Sequence, residues 1–178
     1  MDSPEFSFLI APDRLTATAS PYDLVAGEAA REALAKRFDL LSLDRLEAHL
    51  LVRRMARGVE VNGHLEADAV QACVISGAPV PAHISAPVHL RFERMTEAGG
   101  EMELDAGELD ILPIGPEGID LGEAIAESLA LELPEWPRAD DETVAAARGL
   151  LMSEEQADAQ IRADRMAQSP FAGLKRSE

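Results

Sequence analysis

Ile84-Ser85-Ala86-Pro87-Val88-His89-Leu90-Arg91-Phe92 puts an apolar side chain at every even position and Ser, Pro, His and Arg at the odd ones. A period of two over nine residues is the pattern of a strand with one face in the core and the other in water. Such half-wet strands belong to antiparallel sheets covered on one side. Pro87 has no N–H to give to a ladder, so this strand lies at a sheet edge or its ladder is broken there.

The same rhythm appears upstream. Leu46, Ala48, Leu50 and Val52 share one face, with Glu47, His49 and Arg53 on the other. After a break at Met55 to Gly58, Val59, Val61, Leu65 and Ala67 alternate with Glu60, Asn62, His64, Glu66 and Asp68. Two alternating runs around so short a break predict a hairpin. At Ala69 and Val70 two apolar residues fall together and the apolar set passes to Val70, Ala72 and Val74, which predicts a bulge or bend at that point. Gly77, Pro79 and Pro81 mark the turn that leads into the first-quoted strand. Before the sheet, Ala30, Leu34 and Phe38 recur every four residues, so residues 28–38 form a helix with one buried stripe. Downstream, residues 96–103 read as a loop and Glu108 to Leu112 as a short strand.

Asp120, followed by Glu123 three residues later, writes a helix start, and Glu127 adds negative charge to the next turn. Leu121, Ile125, Leu129 and Leu133 give that helix its buried stripe, and Pro134 and Pro137 end it at about residue 133. Trp136, between those prolines, is expected to staple the helix exit onto the core. Beyond Arg138 the chain becomes rich in Ala, Asp and Glu with little to bury. Residues 139–178 are therefore expected to be a marginal helix or a disordered tail, with Ser153 and Gln156 forming a capping box.

Sixteen basic against 33 acidic side chains leave a net charge of −17 over 178 residues. Dedicated nucleic-acid binders draw most of their affinity from basic surface, so the overall balance argues against one. The acids are concentrated: residues 1–100 hold 14 acids and 10 bases, whereas 101–142 hold 14 acids and one base, Arg138. That stretch, with Glu101, Glu103, Asp105, Glu108, Asp110, Asp120, Glu123 and Glu127, is the candidate face for a basic partner through long-range steering. The opposite charge gathers at two strand ends, in Arg53, Arg54 and Arg57 and in Arg91 and Arg94. If those ends meet, five guanidinium groups form a patch able to contact phosphate.

Chemistry is harder to find. His83 and His89 lie six residues apart, roughly 20 Å on a straight strand, too far to share an ion. Cys73 is the only cysteine; it excludes an intramolecular disulfide, has Ser76 where a C-x-x-C partner would stand, and has no basic neighbour in sequence to acidify it. No glycine-rich phosphate loop, G-x-S-x-G elbow or H-E-x-x-H occurs. A catalytic carboxylate pair cannot be picked from the many acids by spacing. No apolar run reaches the roughly 20 residues of a membrane span and the start lacks a signal-peptide pattern, so a cytoplasmic protein is expected.

The order of several segments is familiar. Residues 4–15, Arg37-Phe38-Asp39-Leu40, Leu43-Asp44-Arg45-Leu46, Gly63-His64-Leu65-Glu66-Ala67-Asp68 running into Val70-Gln71-Ala72-Cys73-Val74, and Ile119-Asp120-Leu121-Gly122-Glu123 together resemble the YceD-like family of large ribosomal RNA subunit accumulation proteins. Pro170-Phe171-Ala172-Gly173-Leu174 is similar to the ending of its alphaproteobacterial-type members. The resemblance covers most of residues 4–138 and that ending. It implies a role in accumulation or maturation of large-subunit rRNA, with no defined enzymatic activity. Many members carry C-x-x-C at the site of Cys73 and Ser76; with one cysteine here, the resemblance carries no metal over to this chain, and no cofactor is expected.

Residues and resemblance converge on an α+β fold: a bent, partly barrel-like antiparallel sheet with two covering helices in a domain of residues 1–138, followed by the tail. The expected function is non-enzymatic ribosome biogenesis. Its partner would be a basic ribosomal protein or pre-ribosomal particle, met by the acidic face, with rRNA touched by Arg53, Arg54, Arg57, Arg91 and Arg94. The competing classes are an RNA-processing enzyme or nuclease cofactor, and a small-molecule carrier with an apolar cavity inside a curled sheet.

Overall fold

A computed structural model describes residues 5–94, 110–149, 158–159 and 161–162. Its centre is a five-stranded sheet in the order β2-β3-β4-β5-β6. The strands are β2 (Ser20–Val25), β3 (Ser42–Met55), β4 (Gly58–Ala72), β5 (Pro79–Glu93) and β6 (Asp110–Pro113). β2 to β5 are antiparallel neighbours, whereas β6 joins β5 in parallel along Leu90 to Glu93. The fold is α+β, and the sheet is bent without closing into a barrel. A second pair, β1 (Leu9–Ile10) with β7 (Ile119–Asp120), ties the N-terminal segment to the start of a helix.

The long hairpin expected at Met55 to Gly58 is the spine of the molecule. Met55 pairs with Gly58 across two turn residues, and β4 pairs with β5 along fourteen registered positions from Val59 to Ala72. Gly58 adopts φ +135° and leaves room for the Phe92 carbonyl where a Cβ would collide with it, so glycine is required at this turn. The sequence reading erred at Ala69 and Val70. Val59, Val61, Leu65, Ala67 and Ala69 of β4 are all buried, and the irregularity lies on the neighbouring strand, between Leu43 and Arg45 of β3. Two apolar residues in succession arise because Val70, at the end of the strand, is half-buried rather than because the face switches.

Pro79, Pro81 and Pro87 are all at odd positions of β5. Since the backbone groups of alternate residues point to opposite edges, their missing N–H groups face away from β4, and no donor is lost from the shared ladder. β6 covers only the Leu90 to Glu93 end, so Pro87 sits where β5 has no outer neighbour among the described residues.

Helix α1 (Glu28–Arg37) packs on β3, and α2 (Leu121–Glu132) packs on β4, β5 and β1. Leu34, Leu46, Val61, Leu65, Ile125 and Leu129 are all fully enclosed between these layers. Dense aliphatic side chains thus fill the concave side of the sheet, where a carrier would need its cavity. Helix α3 (Asp141–Gly149) follows, within the stretch expected to be a marginal helix or a disordered tail, and buries Val144. Trp136 is 75% exposed and does not staple the helix exit; its neighbour Pro137 is the buried residue there. The Ser153–Gln156 capping box and the 96–103 loop lie outside the described residues.

Candidate functional site

The hairpin brings the two arginine clusters together. Register places Arg53 of β3 opposite Glu60 of β4, and Glu60 opposite Arg91 of β5, so one carboxylate lies between two guanidinium groups on the wet face. Arg53 bonds Glu60, and Arg91 Nε sits 2.9 Å from Glu93. The Arg53 guanidinium holds the Glu60 carboxyl below its usual range. Arg57 occupies the turn, Arg54 is next to last in β3, and Arg94 follows β5; all three are exposed and have no ion pair among the described residues. This end of the sheet thus carries five arginines, two of them paired to Glu60 and Glu93, and β6 brings Asp110 opposite Leu90 beside them.

The far end of β4 is different. Fifteen residues of strand separate the two ends by roughly 45 Å of contour. There Val74 N–H donates to Pro137 O, and Asp140 caps α3 by accepting from Thr143 N–H at 2.8 Å. Glu135, Asp140, Asp141 and Glu142 are exposed around this junction. The candidate acidic residues fare unevenly. Glu127 is exposed on α2, while Glu101, Glu103, Asp105 and Glu108 lie outside the described residues and Asp110 is described in its backbone alone.

Asp120 and Glu123 are engaged within the chain. Asp120 Oδ1 accepts from Gly122 N–H at 3.0 Å and Glu123 N–H at 3.2 Å, the helix cap foreseen in the sequence. It also accepts from Phe8 N–H, while Oδ2 accepts from Ser7 Oγ at 2.6 Å, so one carboxylate anchors the N-terminal segment to α2. Glu123 does not reach back as a capping box would. It takes two hydrogen bonds from the Arg37 guanidinium, at 2.7 and 3.0 Å, joining α1 to α2.

The wet face of the sheet carries an ordered polar layer that period-two patterning located without resolving its pairs. Arg45 bonds Glu66 at 2.7 Å and Asp68 at 2.8 Å, and Asp68 also meets His83 Nδ1 at 2.6 Å. His83 and then Arg45 keep the Asp68 carboxyl below its ordinary range. His49 contacts Asp23 at 2.7 Å, which raises the histidine's pKa. His64 meets Ser85 and His89 meets Asn62, so all four histidines sit on one face with single neighbours. No group of three or more metal-ligating side chains occurs among the described residues.

Cys73 departs from expectation. Its side chain is buried at 3% exposure in the turn after β4, where Cys73 N–H donates to Ala78 O and Gly77 N–H to Cys73 O. The groups that favour its thiolate are the backbone amide of Ala139, then the hydroxyl and amide of Ser76 and the amide of Ile75. These donors outweigh burial and bring the thiol's pKa down to about 6. Sequence offered no acidifying neighbour because the neighbours are backbone amides, one of them 66 positions along the chain, and not basic side chains.

Among the described residues no helix is long and apolar enough to cross a membrane. No curated protein and no solved structure matches the chain at a significant level. The family model described as large ribosomal RNA subunit accumulation protein YceD matches residues 61–176, which include β4, β5, both later helices and the C-terminal segment. With about two thirds of its length matched from the middle of the sheet to near its end, the chain belongs to the YceD family of large ribosomal RNA subunit accumulation proteins.

Proposed function

We propose that this protein supports accumulation of large-subunit rRNA as a non-enzymatic assembly factor that binds through two surfaces of different charge. The arginine end, with Arg53, Arg54, Arg57, Arg91 and Arg94, contacts rRNA phosphates. The acidic region, residues 101–142, engages a basic ribosomal protein or a precursor particle. The observation that supports the reading is the charge polarity along β4, with guanidinium groups clustered at Gly58 and carboxylates exposed around the Cys73 turn and α3. Phosphate contacts position a protein on RNA without reading sequence, which suits an assembly factor. A chain of net charge −17 avoids indiscriminate binding to nucleic acid, so its RNA contact is confined to the hairpin end.

An affinity pull-down from lysate at low and at moderate salt tests this reading. Large-subunit ribosomal proteins and rRNA are expected in the eluate, decreasing as salt rises. Recovery of neither at low salt contradicts the proposal, as does cleavage of precursor rRNA by the purified protein in the presence of divalent metal.

A further inference from the structure

Helix α2 ends with its charge unanswered. Its last turn holds Glu132 and no basic residue, although the negative end of the helix dipole favours a cation there. Glu135 follows, and Asp141 and Glu142 open α3; these four carboxylates have no ion pair among the described residues. Arg138 is the one base in the stretch, and it is exposed and likewise unpaired among the described residues. The adjoining turn, Cys73 to Ala78, carries no charged side chain. Leu131, at 79% exposure, and Trp136 are the most exposed large apolar residues described, and Glu132 and Glu135 lie between them in the chain. Trp136 is nonetheless held in place. Gln71 Nε2 donates to Pro134 O at 3.0 Å, Val74 N–H donates to Pro137 O at 3.0 Å, and the two prolines fix the backbone on either side. An anchored backbone that presents an indole to water is a preorganised contact, with little ordering left to a partner.

We propose that the α2 exit binds an arginine-rich polypeptide segment of a partner, with a guanidinium laid over the Trp136 ring and an apolar neighbour against Leu131. The inference rests on the reading of residues 101–142 as the region that meets a basic partner, and narrows that region to one anchor. Charge selects the occupant: Glu132, Glu135 and the carbonyl end of α2 attract a cation, and tryptophan offers the strongest aromatic face for one. Arginine suits it better than lysine, because the planar guanidinium stacks and is less strongly hydrated. Among the described residues the cation lying over an aromatic ring is Arg37 on Phe38, at 5.3 Å, so no cation of the described chain takes this position on Trp136. A nucleic acid would set phosphates against these carboxylates. A purely apolar partner would cover them without pairing them, at the cost of desolvation.

Trp136 is the only tryptophan in the chain, so intrinsic fluorescence reports on this one position. The test titrates the full-length protein with a peptide of repeating Arg-Leu-Arg-Ala, which has no aromatic residue, at low salt. Expected are a saturable shift of the emission to shorter wavelength and weaker quenching by acrylamide. Calorimetry with the same peptide should show a loss of about tenfold for Trp136→Ala, and a loss of about threefold when lysine replaces arginine in the peptide. Glu132→Gln with Glu135→Gln should weaken binding and make it less sensitive to salt. All three positions are exposed, and circular dichroism confirms that the variants fold. Binding that leaves the emission unmoved, or that survives Trp136→Ala undiminished, overturns this site while the wider acidic reading stands. Absence of binding at low salt overturns it too, and the pull-down then decides the wider reading separately. An indole already shielded from acrylamide in the protein alone also overturns it, because a second copy or the chain itself then covers this face.

Discussion

Asp120 shows how much one side chain can hold. Its carboxylate satisfies two helix-end amides and two donors of the N-terminal segment, a place where unpaired backbone N–H groups would otherwise be left. Asp120→Ala is expected to cost about 2 kcal/mol, the upper range for a lost helix cap, measured by urea denaturation. A cost below about 0.5 kcal/mol would mean the N-terminal segment is held elsewhere. Cys73 provides a second test at this scale. Its folded pKa is depressed, so its contribution to stability is complete above the ordinary value of 9.0 and is lost as pH falls through about 6. The stability gap between the native protein and Cys73→Ala should therefore narrow as the solution is acidified across that window. Thiolate absorbance of the folded protein should titrate near its lower end; titration at the ordinary value would contradict the amide cradle.

Between elements, the Arg37–Glu123 pair joins two helices that are 86 positions apart in sequence, and its two parallel hydrogen bonds raise the already high pKa of Arg37. Both side chains are partly exposed, so Arg37→Ala is expected to cost only about 1 kcal/mol. A double-mutant cycle with Glu123→Ala should return most of that as coupling, and strict additivity would argue that the pair contributes nothing. Gly63 makes a sharper case inside β4. A Cβ there would lie 2.1 Å from His49 O and 2.9 Å from Leu50, so Gly63→Ala must push β3 and β4 apart. Roughly 2 to 3 kcal/mol of destabilisation should appear as a lowered Tm. Strands, hairpin and both covering helices were legible because period two and period four survive in the sequence whenever one face is buried. The Leu43–Arg45 irregularity was not, since its cause is the pairing partner rather than the local pattern, and residues 69 and 70 drew attention to the wrong strand. Arg37 and Glu123 were equally invisible as a pair, since only tertiary packing brings them together.

For the molecule as a whole, the arrangement of charge matters more than its sum. Composition alone argued against RNA contact, yet the fold gathers Arg53, Arg54, Arg57, Arg91 and Arg94 at one end of a long hairpin and leaves exposed acids at the other. The candidate arginines were readable as two clusters. That they form one patch depends on β4 lying between β3 and β5, which sequence order suggested and only the sheet register established. The acidic candidates were read as one face, and the fold divides them, since Asp120 and Glu123 serve the structure while Glu127 stays exposed. The most direct test of the account is filter binding of precursor large-subunit rRNA across a salt series, comparing the native protein with an Arg54→Gln, Arg57→Gln, Arg94→Gln variant. Weaker binding by the variant is expected, with a log–log salt slope shallower by roughly 2, about 0.7 for each single-strand phosphate that an arginine no longer neutralises. Identical affinities and slopes for the two proteins would contradict it.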